Sequence, residues 1–373
     1  MKVAIIHDWF KANGGAEKVA GDIIDVYLAE NPDLYSLFDK FKDKDRKSIL
    51  RNLPVNTSLL QNLPMIEKVY QGTLPLMPWL IERFNLKGYD AIISTSHAVA
   101  KSIGCDKNIL NICYCHTPMR FAWDMMDDYK EQHKFTNSFL YNAFMKRMRD
   151  WDKRTAEKVH YFIANSHHIK NRIKNCYGRD ATVIYPPVRV EKFELYEGAR
   201  QDYYLALGRF VPYKKIDLIV KSFLKMPDKK LVLIGEGYGS RKFADLIQGA
   251  TNIEWLGYQP DDEMIRYIQQ AKACIFAAKE DFGIQCVEVQ ACGTPVIALD
   301  YGGYQETVVN GVTGYHFPDQ TEEAVIGAVK KLEANYLNDA AAISRHAEKF
   351  SSERFKREIK DFVNKCHHEF YGH

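Results

Sequence analysis

The stretch KEDFGIQCVEVQACGTPVIALDYGGYQETVVNGVTGYHF, residues 279–317, carries the strongest structural signal in this chain. It follows the apolar run ACIFAA (273–278) and contains a second apolar run, TPVIALD (294–300). Between the two runs, Phe282-Gly283 are typical of a turn that opens a helix. A strand, a turn, a helix and a further strand predict part of a parallel sheet covered by helices.

Two carboxylates flank this turn. Glu280 precedes it, and Glu288 lies eight positions later, within the predicted helix. The N–H groups of Gly283 and Ile284 suit a phosphate oxygen, because the first N–H groups of a helix have no partner within it. Ionised carboxylates only accept hydrogen bonds, so Glu280 and Glu288 suit the hydroxyl groups of a sugar.

The same alternation of short apolar runs and amphipathic segments extends over all 373 residues and predicts an α/β fold with two parallel sheets. The segment PPVRVEKFELYEGARQ (186–201) shows neither helical nor strand periodicity and is predicted to link the two domains. The predicted strands are 2–7, 33–38, 90–95, 109–115, 160–165 and 181–185 in the first half, and 202–208, 230–235, 252–257, 273–278 and 294–300 in the second half.

Two segments fall outside these sheets. Residues 351–368 place Phe355, Ile359 and Val363 at helical spacing, which predicts a last helix that packs back on the first domain. Residues 59–84 are apolar and aromatic but are broken by three prolines. They predict either a helical hairpin that covers the sheet or an excursion that contacts a membrane surface or an acceptor.

The composition, with 46% hydrophobic and 27% charged residues, is that of an ordinary globular protein. The start, MKVAIIHDWF, reaches His7-Asp8 after a short apolar run, so we expect a buried strand there rather than a signal peptide. No C-x-x-C pair occurs among the eight cysteines, which predicts buried thiols in a reducing cytoplasm and no metal site.

Charge is distributed unevenly along the chain. Residues 1–180 contain 27 Lys/Arg against 21 Asp/Glu, whereas the remainder contains 24 against 27. No nucleic-acid-binding motif accompanies this excess, so nucleic acid is not expected as a partner. The basic first half favours an anionic lipid surface or a phosphorylated acceptor; the alternative is an incidental imbalance of surface charge.

Two further loops follow predicted strands. Gly14-Gly15 precede a predicted helix, where paired glycines let backbone N–H groups approach an anion. GRFVPYKK (208–215) places Arg209 at the end of a strand and Lys214 five positions later. Both side chains suit a diphosphate, the guanidinium as a fork and the ammonium as a point charge. The alternative is a solvated basic loop.

Taken together, the spacing E-x-F-G-x-x-x-x-E (280–288), the segment ACGTPVIA and the segment GGYQETVVNGVTG resemble the retaining GT-B glycosyltransferases of family four. Gly14-Gly15, YPPV (185–188) and GRFVPYKK occur in the family's order. The segment YCHTPMRFAWDMMDDY (114–129) resembles bacterial mannosyltransferases of O-antigen or exopolysaccharide assembly. This resemblance implies two Rossmann-like, doubly wound domains that face a central cleft, an acceptor-side domain over 1–187 with 351–373 and a donor domain over 188–350.

The resemblance also implies a role for each matching residue. Arg209 and Lys214 would hold the donor diphosphate, Glu280 the transferred sugar, and Glu288 the ribose. His116 would touch the sugar near the reacting carbon. The positions that would approach the phosphates with their backbone are Gly14, Gly15, Phe282, Gly283 and Ile284. The positions that would line the nucleotide pocket are Gly235, Gly237 and Tyr258. The chain departs from the family at Lys215, where glycine is common, and Lys214 is preferred over Lys215 as the phosphate ligand.

The implied reaction transfers a hexosyl group to an acceptor hydroxyl, with retention of configuration at the anomeric carbon and without a metal or other cofactor. The preferred donor is GDP-mannose, which would supply mannose. A UDP-sugar donor, an epimerase of the same fold and an idle nucleotide-sugar-binding subunit are the alternatives. The implied acceptor is a saccharide or lipid-linked saccharide. The basic run FMKRMRDWDKR (144–154), with residues 59–84, favours a place on the inner face of the cytoplasmic membrane.

Overall fold

The computed structural model describes residues 1–104, 106–123, 139–237 and 240–372, except the side chains of residues 140 and 240–242. The chain divides into two compact units. Unit 1 comprises Met1–Pro187 and Glu353–His373, and unit 2 comprises Val188–Ser352. Within the described residues, no helix combines the length and apolar character that a membrane span requires.

Unit 1 contains a seven-stranded parallel sheet in the order β3-β2-β1-β4-β5-β6-β7. The strand order reverses between β1 and β4. The strands are β1 Val3–His7, β2 Asp33–Ser36, β3 Val55–Thr57, β4 Ala91–Ser96, β5 Leu110–Cys115, β6 Tyr161–Ala164 and β7 Ala181–Val183. The α-helices are α1 Gly15–Val26, α2 Asp43–Asp45, α3 Ile66–Val69, α4 Met77–Ile81, α5 Phe139–Ala156 and α6 His167–Tyr177, joined by the last helix of the chain, Ser352–Tyr371.

Both faces of the unit 1 sheet are buried, which explains why its strands read as continuous apolar runs. One face packs against α1 and the last helix, whose Phe355, Ile359 and Val363 are fully buried in this core. The other face, which includes Ile6 and Ile92, packs against the segment 59–84.

Segment 59–84 covers the sheet, but the predicted helical hairpin is wrong. It folds as short pieces: the 3-10 turns Leu59–Asn62 and Tyr70–Thr73, with α3 and α4. Met65 begins α3 with a left-handed φ of 52°. Proline has no N–H for a helical hydrogen bond, so three prolines within twenty-six residues prevent long helices here.

Unit 2 contains a six-stranded parallel sheet in the order β10-β9-β8-β11-β12-β13. The order reverses between β8 and β11. The strands are β8 Tyr203–Leu207, β9 Lys230–Ile234, β10 Ile253–Trp255, β11 Ala273–Phe276, β12 Val296–Leu299 and β13 Gly314–Phe317. The helices are α7 Ile216–Leu224, α8 Ser240–Leu246, α9 Asp261–Gln270, α10 Ile284–Ala291, α11 Tyr304–Thr307, α12 Glu322–Ala334 and α13 Ala340–Glu348, so that the last helix of the chain is α14.

Two strands were not predicted from the sequence, and the predicted linker differs from the structure. The short strands β3 and β13 were not predicted, because neither lies in a continuous apolar run. The segment 186–201 is not a free linker: from Val188 onward it lies on unit 2, where the Tyr196 N–H donates to the Cys292 carbonyl at 3.2 Å. Phe193 is buried there, which fixes the segment without regular periodicity.

Candidate functional site

The carboxyl edge of the unit 2 sheet contains most of the predicted donor residues. β8 and β11 are neighbours at the point where the strand order reverses. Open parallel sheets bind ligands outside this point, because the loops that follow the two strands diverge. Arg209 lies just after β8 and is exposed, and Glu280 lies just after β11.

Lys214 and Glu280 form an ion pair at this edge. Lys214 ends the 3-10 turn Pro212–Lys214, and its Nζ lies 2.6 Å from Glu280 Oε1. Only 18% and 16% of the two side chains are exposed. Burial by itself would lower the pKa of Lys214, but the Glu280 carboxylate outweighs it, so the pKa lies above its usual value and the amine is charged.

Lys215, at the position where the family often has glycine, has a left-handed backbone with φ 54°. Glycine adopts this conformation without the strain that a Cβ causes, which gives the family's glycine a physical reason. The side chain of Lys215 lies in a surface groove with Asp217 and Glu322, whereas Lys214 contacts Glu280. Lys214 is therefore the lysine that the fold brings to the Glu280 carboxylate.

Gly283 caps the N-terminus of α10 with φ +88°. A Cβ at this position would lie 2.5 Å from Cε1 of the buried Tyr304, so both the backbone and the space require glycine. The Gly303 N–H donates to the Glu280 carbonyl at 3.0 Å and fastens the loop between β11 and α10. α10 therefore begins four positions after Glu280, in the loop that carries the Lys214–Glu280 pair.

Phe282 and Glu288 contribute to this region in different ways. The Phe282 side chain is buried, with its ring 5.5 Å from that of Phe350. The side chain is therefore not available to a ligand, and the phosphate-binding role of the backbone amide stays a prediction. Glu288 is half-buried in α10, four residues after Ile284 and so on the same face of the helix.

The loops after β8 and β9 lie against each other. A Cβ on Gly235 would lie 1.9 Å from the Gly208 carbonyl oxygen, and one on Gly237 would lie 2.4 Å from the Phe210 carbonyl oxygen. Gly235 and Gly237, predicted for the nucleotide pocket, are thus required by the packing of two loops. Tyr258 follows β10 with 71% of its surface exposed, at the same edge of the sheet.

In unit 1, Gly14 caps the N-terminus of α1, and Gly15 is its first residue. A Cβ on Gly14 would lie 2.7 Å from Oε2 of Glu17, so the Glu17 carboxylate lies over the start of its own helix. A carboxylate near a helix N-terminus stabilises the helix. Glu17 was not predicted from the sequence, although a glutamate two positions after Gly15 is a usual capping signal.

His116 lies at the carboxyl end of β5, as predicted. Its N–H donates to the Ser96 carbonyl at 2.8 Å, and its carbonyl accepts from Asn165 Nδ2 at 3.0 Å. Burial, with a smaller effect of His97, lowers the pKa of His116 to about 3. The ring is therefore neutral near pH 7 and can form hydrogen bonds, but it brings no charge to a leaving group.

Asp8, which was also not predicted as a site residue, organises this edge of unit 1. Its buried carboxylate accepts hydrogen bonds from four consecutive N–H groups, those of residues 97–100, at 2.6 to 3.0 Å. The available signal was the polar pair His7-Asp8 directly after an apolar strand. Residues 124–129 of the mannosyltransferase-like segment lie outside the described residues.

No group of three histidine, cysteine or acidic side chains that could hold a metal ion occurs among the residues described. The seven cysteines within that part of the chain are free and buried. The predicted absence of a metal requirement stays a prediction.

Family models match both halves of the chain. Residues 13–192 match Glycosyltransferase Family 4, and residues 188–350 match Glycosyl transferases group 1. An uncharacterized glycosyltransferase of Methanocaldococcus jannaschii is 30% identical over 178 residues, 46% of this chain and 50% of that protein. The D-inositol 3-phosphate glycosyltransferase of Mycobacterium marinum is 30% identical over 218 residues, 48% of this chain and 46% of that protein. The chain thus spans about half the length of these curated relatives.

Among solved structures, Anabaena HepE in complex with UDP is similar with a TM-score of 0.72 and 16% identity. The similarity covers 98% of this chain and 100% of HepE. Two parallel-sheet α/β units with this likeness define the GT-B fold, which confirms the predicted fold class. The two family models together cover residues 13–350 and, with the fold, support a GT-B glycosyltransferase whose halves match the family 4 and group 1 domains.

Proposed function

We propose that this chain transfers a hexosyl group from a nucleoside diphosphate sugar to an acceptor hydroxyl. The observation that carries the proposal is the carboxyl edge of unit 2. There the charged Lys214 is paired with Glu280, and the N-terminus of α10 follows in the same loop. Cations and helix amides suit a diphosphate, and a carboxylate suits sugar hydroxyls.

The proposed chemistry is stabilisation of the leaving diphosphate. As the bond to the sugar breaks, negative charge develops on the phosphate oxygens, and preorganised cations lower the barrier. Arg209 is exposed and free to reach a ligand, and Lys214 is charged. We propose retention at the anomeric carbon and no metal requirement, with the leaving phosphate accepting the acceptor's proton.

GDP-mannose is the proposed donor, on the resemblance of residues 114–129 to mannosyltransferases. A UDP-sugar is the second candidate, because the GT-B structure of HepE holds UDP. A thermal-shift panel of GDP, UDP and ADP decides between them, since a ligand that binds the native state raises Tm. A rise with none of the three would contradict the proposal. Conversion of the nucleotide sugar without acceptor would instead indicate an epimerase.

Unit 1 is proposed to bind the acceptor, at an anionic membrane surface. Segment 59–84 exposes apolar side chains that include Leu59, Met65, Leu76 and Trp79, the last with 51% of its surface exposed. The Arg83 guanidinium lies 4.1 Å from the Trp79 ring centroid, so a cation and an indole lie together. Such pairs suit the interface between lipid headgroups and acyl chains.

Co-sedimentation with anionic and neutral liposomes tests this location. Each basic residue near an anionic surface adds roughly 1 kcal/mol of attraction, so binding should require anionic lipid and fall with salt. Neutralising Lys146, Arg147 and Arg149 should weaken it. A chain that remains in the supernatant with anionic vesicles at low salt would exclude the membrane location and leave the transfer reaction standing.

A further inference from the structure

Gln285 occupies the second position of α10, between the N-terminal cap Gly283 and the carboxylate of Glu288. It is half-buried, as are Ile284 and Glu288 in the same helix. Gln285 and Glu288 are three positions apart, so their side chains are neighbours on one face of the helix. A glutamine on this face brings two N–H donors and one carbonyl acceptor to the region between the helix start and Glu288.

The side chain of Gln285 extends from α10 to the loop that follows β8. A Cβ on Gly208 would lie 3.0 Å from Gln285 Oε1 and 3.6 Å from Gln285 Nε2. Gly208 directly precedes Arg209, the exposed cation of this loop. The amide of Gln285 therefore lies between the start of α10 and the loop of Arg209, next to the point where the strand order of unit 2 reverses.

The amide of Gln285 is available to a ligand. Within the described part of the chain, no hydrogen bond joins it to another residue. Neither of its polar atoms is among the fully buried atoms that lack a partner, so both are accessible from outside the protein. Two other glutamines of unit 2 hold the fold instead, since Gln290 Nε2 donates to the Thr307 carbonyl at 2.8 Å and Gln320 Nε2 donates to the Ala277 carbonyl at 2.7 Å.

We propose that Gln285 is a further donor-binding residue, whose side-chain N–H groups donate to the phosphate nearest the ribose. The start of α10 is the proposed phosphate site, and Glu288 is the residue expected to bind the ribose. Gln285 lies between them on the same helix, just as the ribose-proximal phosphate lies between the far phosphate and the ribose of a nucleoside diphosphate. Hydrogen bonds to a charged phosphate are among the stronger ones, even from a neutral amide.

This position predicts an effect on binding more than on catalysis. The sugar is attached to the phosphate far from the ribose, so the charge of the breaking bond develops there. The ribose-proximal phosphate changes little, and a hydrogen bond to it stabilises the bound substrate and the transition state about equally. Such uniform binding lowers KM without raising kcat.

The test uses the full chain, whichever of GDP and UDP raises its Tm, and the corresponding monophosphate. Gln285→Met removes the amide but keeps an unbranched side chain of similar helix propensity, so the Tm of the free chain should match that of the parent. It should weaken the diphosphate and the monophosphate by the same factor, about tenfold, because both contain the ribose-proximal phosphate. Calorimetry measures the diphosphate, and competition against it measures the monophosphate. Turnover at saturating donor should stay within about threefold of the parent.

Gln285→Glu and the matched control Gln248→Glu add the same charge to unit 2. Gln248 is exposed and follows α8. A carboxylate in the first turn of a helix is favourable, so Gln285→Glu should not lower the Tm of the free chain. It should nevertheless weaken the diphosphate by more than about tenfold, because the new charge repels phosphate. Gln248→Glu should keep the parental affinity.

Parental affinity in Gln285→Met, a loss with the diphosphate alone, or equal losses in Gln285→Glu and Gln248→Glu would overturn the assignment. In each of these cases the parent chain still binds the nucleotide, so the proposed function stands. The assignment rests on that function: if neither GDP nor UDP raises the Tm of the parent chain, the proposed function fails and the role of Gln285 falls with it.

Discussion

Neutralising Lys214 should harm unit 2 in two separable ways, because the lysine is both the partner of Glu280 and a proposed phosphate ligand. Lys214→Met keeps the length of the side chain and removes its charge. The Glu280 carboxylate, 16% exposed, then loses the cation that lies 2.6 Å away. Glu280→Gln instead leaves the Lys214 ammonium without its anion.

The exposure of the pair sets the expected magnitude. A surface ion pair contributes about 0–1 kcal/mol, whereas breaking a buried one costs about 3–5 kcal/mol. With less than a fifth of either side chain exposed, we expect each single substitution to lower the free energy of unfolding of unit 2 by about 2 kcal/mol. The double variant should lose less than the sum, because no unpaired charge remains.

The double variant should regain part of the stability of unit 2, but it should not regain nucleotide affinity or turnover. Loss of one charged ligand should weaken the nucleoside diphosphate about tenfold and slow turnover about 10²-fold in Lys214→Met, and the double variant should stay as weak. Trp255 is the one tryptophan of unit 2, so its ¹⁹F resonance after fluorotryptophan labelling follows the unfolding of that unit in urea. Calorimetry measures nucleotide affinity. Strictly additive destabilisation, or parental nucleotide affinity in Lys214→Met, would refute the reasoning.

Three further outcomes are expected. Burial lowers the pKa values of His7 and His116 from 6.5 to about 3, so between these values only the unfolded chain takes the two protons. The free energy of unfolding of unit 1 should therefore fall with pH by about 1.4 kcal/mol per pH unit for each histidine. His7→Gln should remove about half of this slope in urea titrations, and an unchanged slope would contradict it. Gly283→Ala places a Cβ at φ +88° and 2.5 Å from the Tyr304 ring, so it should lower the free energy of unfolding of unit 2 by about 1–3 kcal/mol and weaken binding of the nucleotide sugar. Gly311→Ala, with φ +74° and open space around the Cβ, should lower the free energy of unfolding less. Equal destabilisation by the two substitutions would exclude the steric argument. Lys215→Gly should raise unit 2 stability by about 1 kcal/mol and spare turnover, and a loss of turnover would move the phosphate role from Lys214 to Lys215.

The sequence by itself determined the fold class and the presence of the loop between β11 and α10. Strands buried on both faces read as apolar runs, and this local signal found eleven of the strands; β3 and β13, of three and four residues, lack it. The loop from Glu280 to Gly283 was readable because a helix start and a left-handed glycine are local features of the chain.

Only the tertiary structure decided which distant groups meet. Lys214 and Glu280 are 66 positions apart, and Asp8 binds amides some 90 positions later. Gly235 is glycine because the Gly208 carbonyl would lie 1.9 Å from a Cβ. Such contacts depend on strand order, register and loop path together. Periodicity reports only which face of an element is buried, so it cannot supply the partner across the sheet.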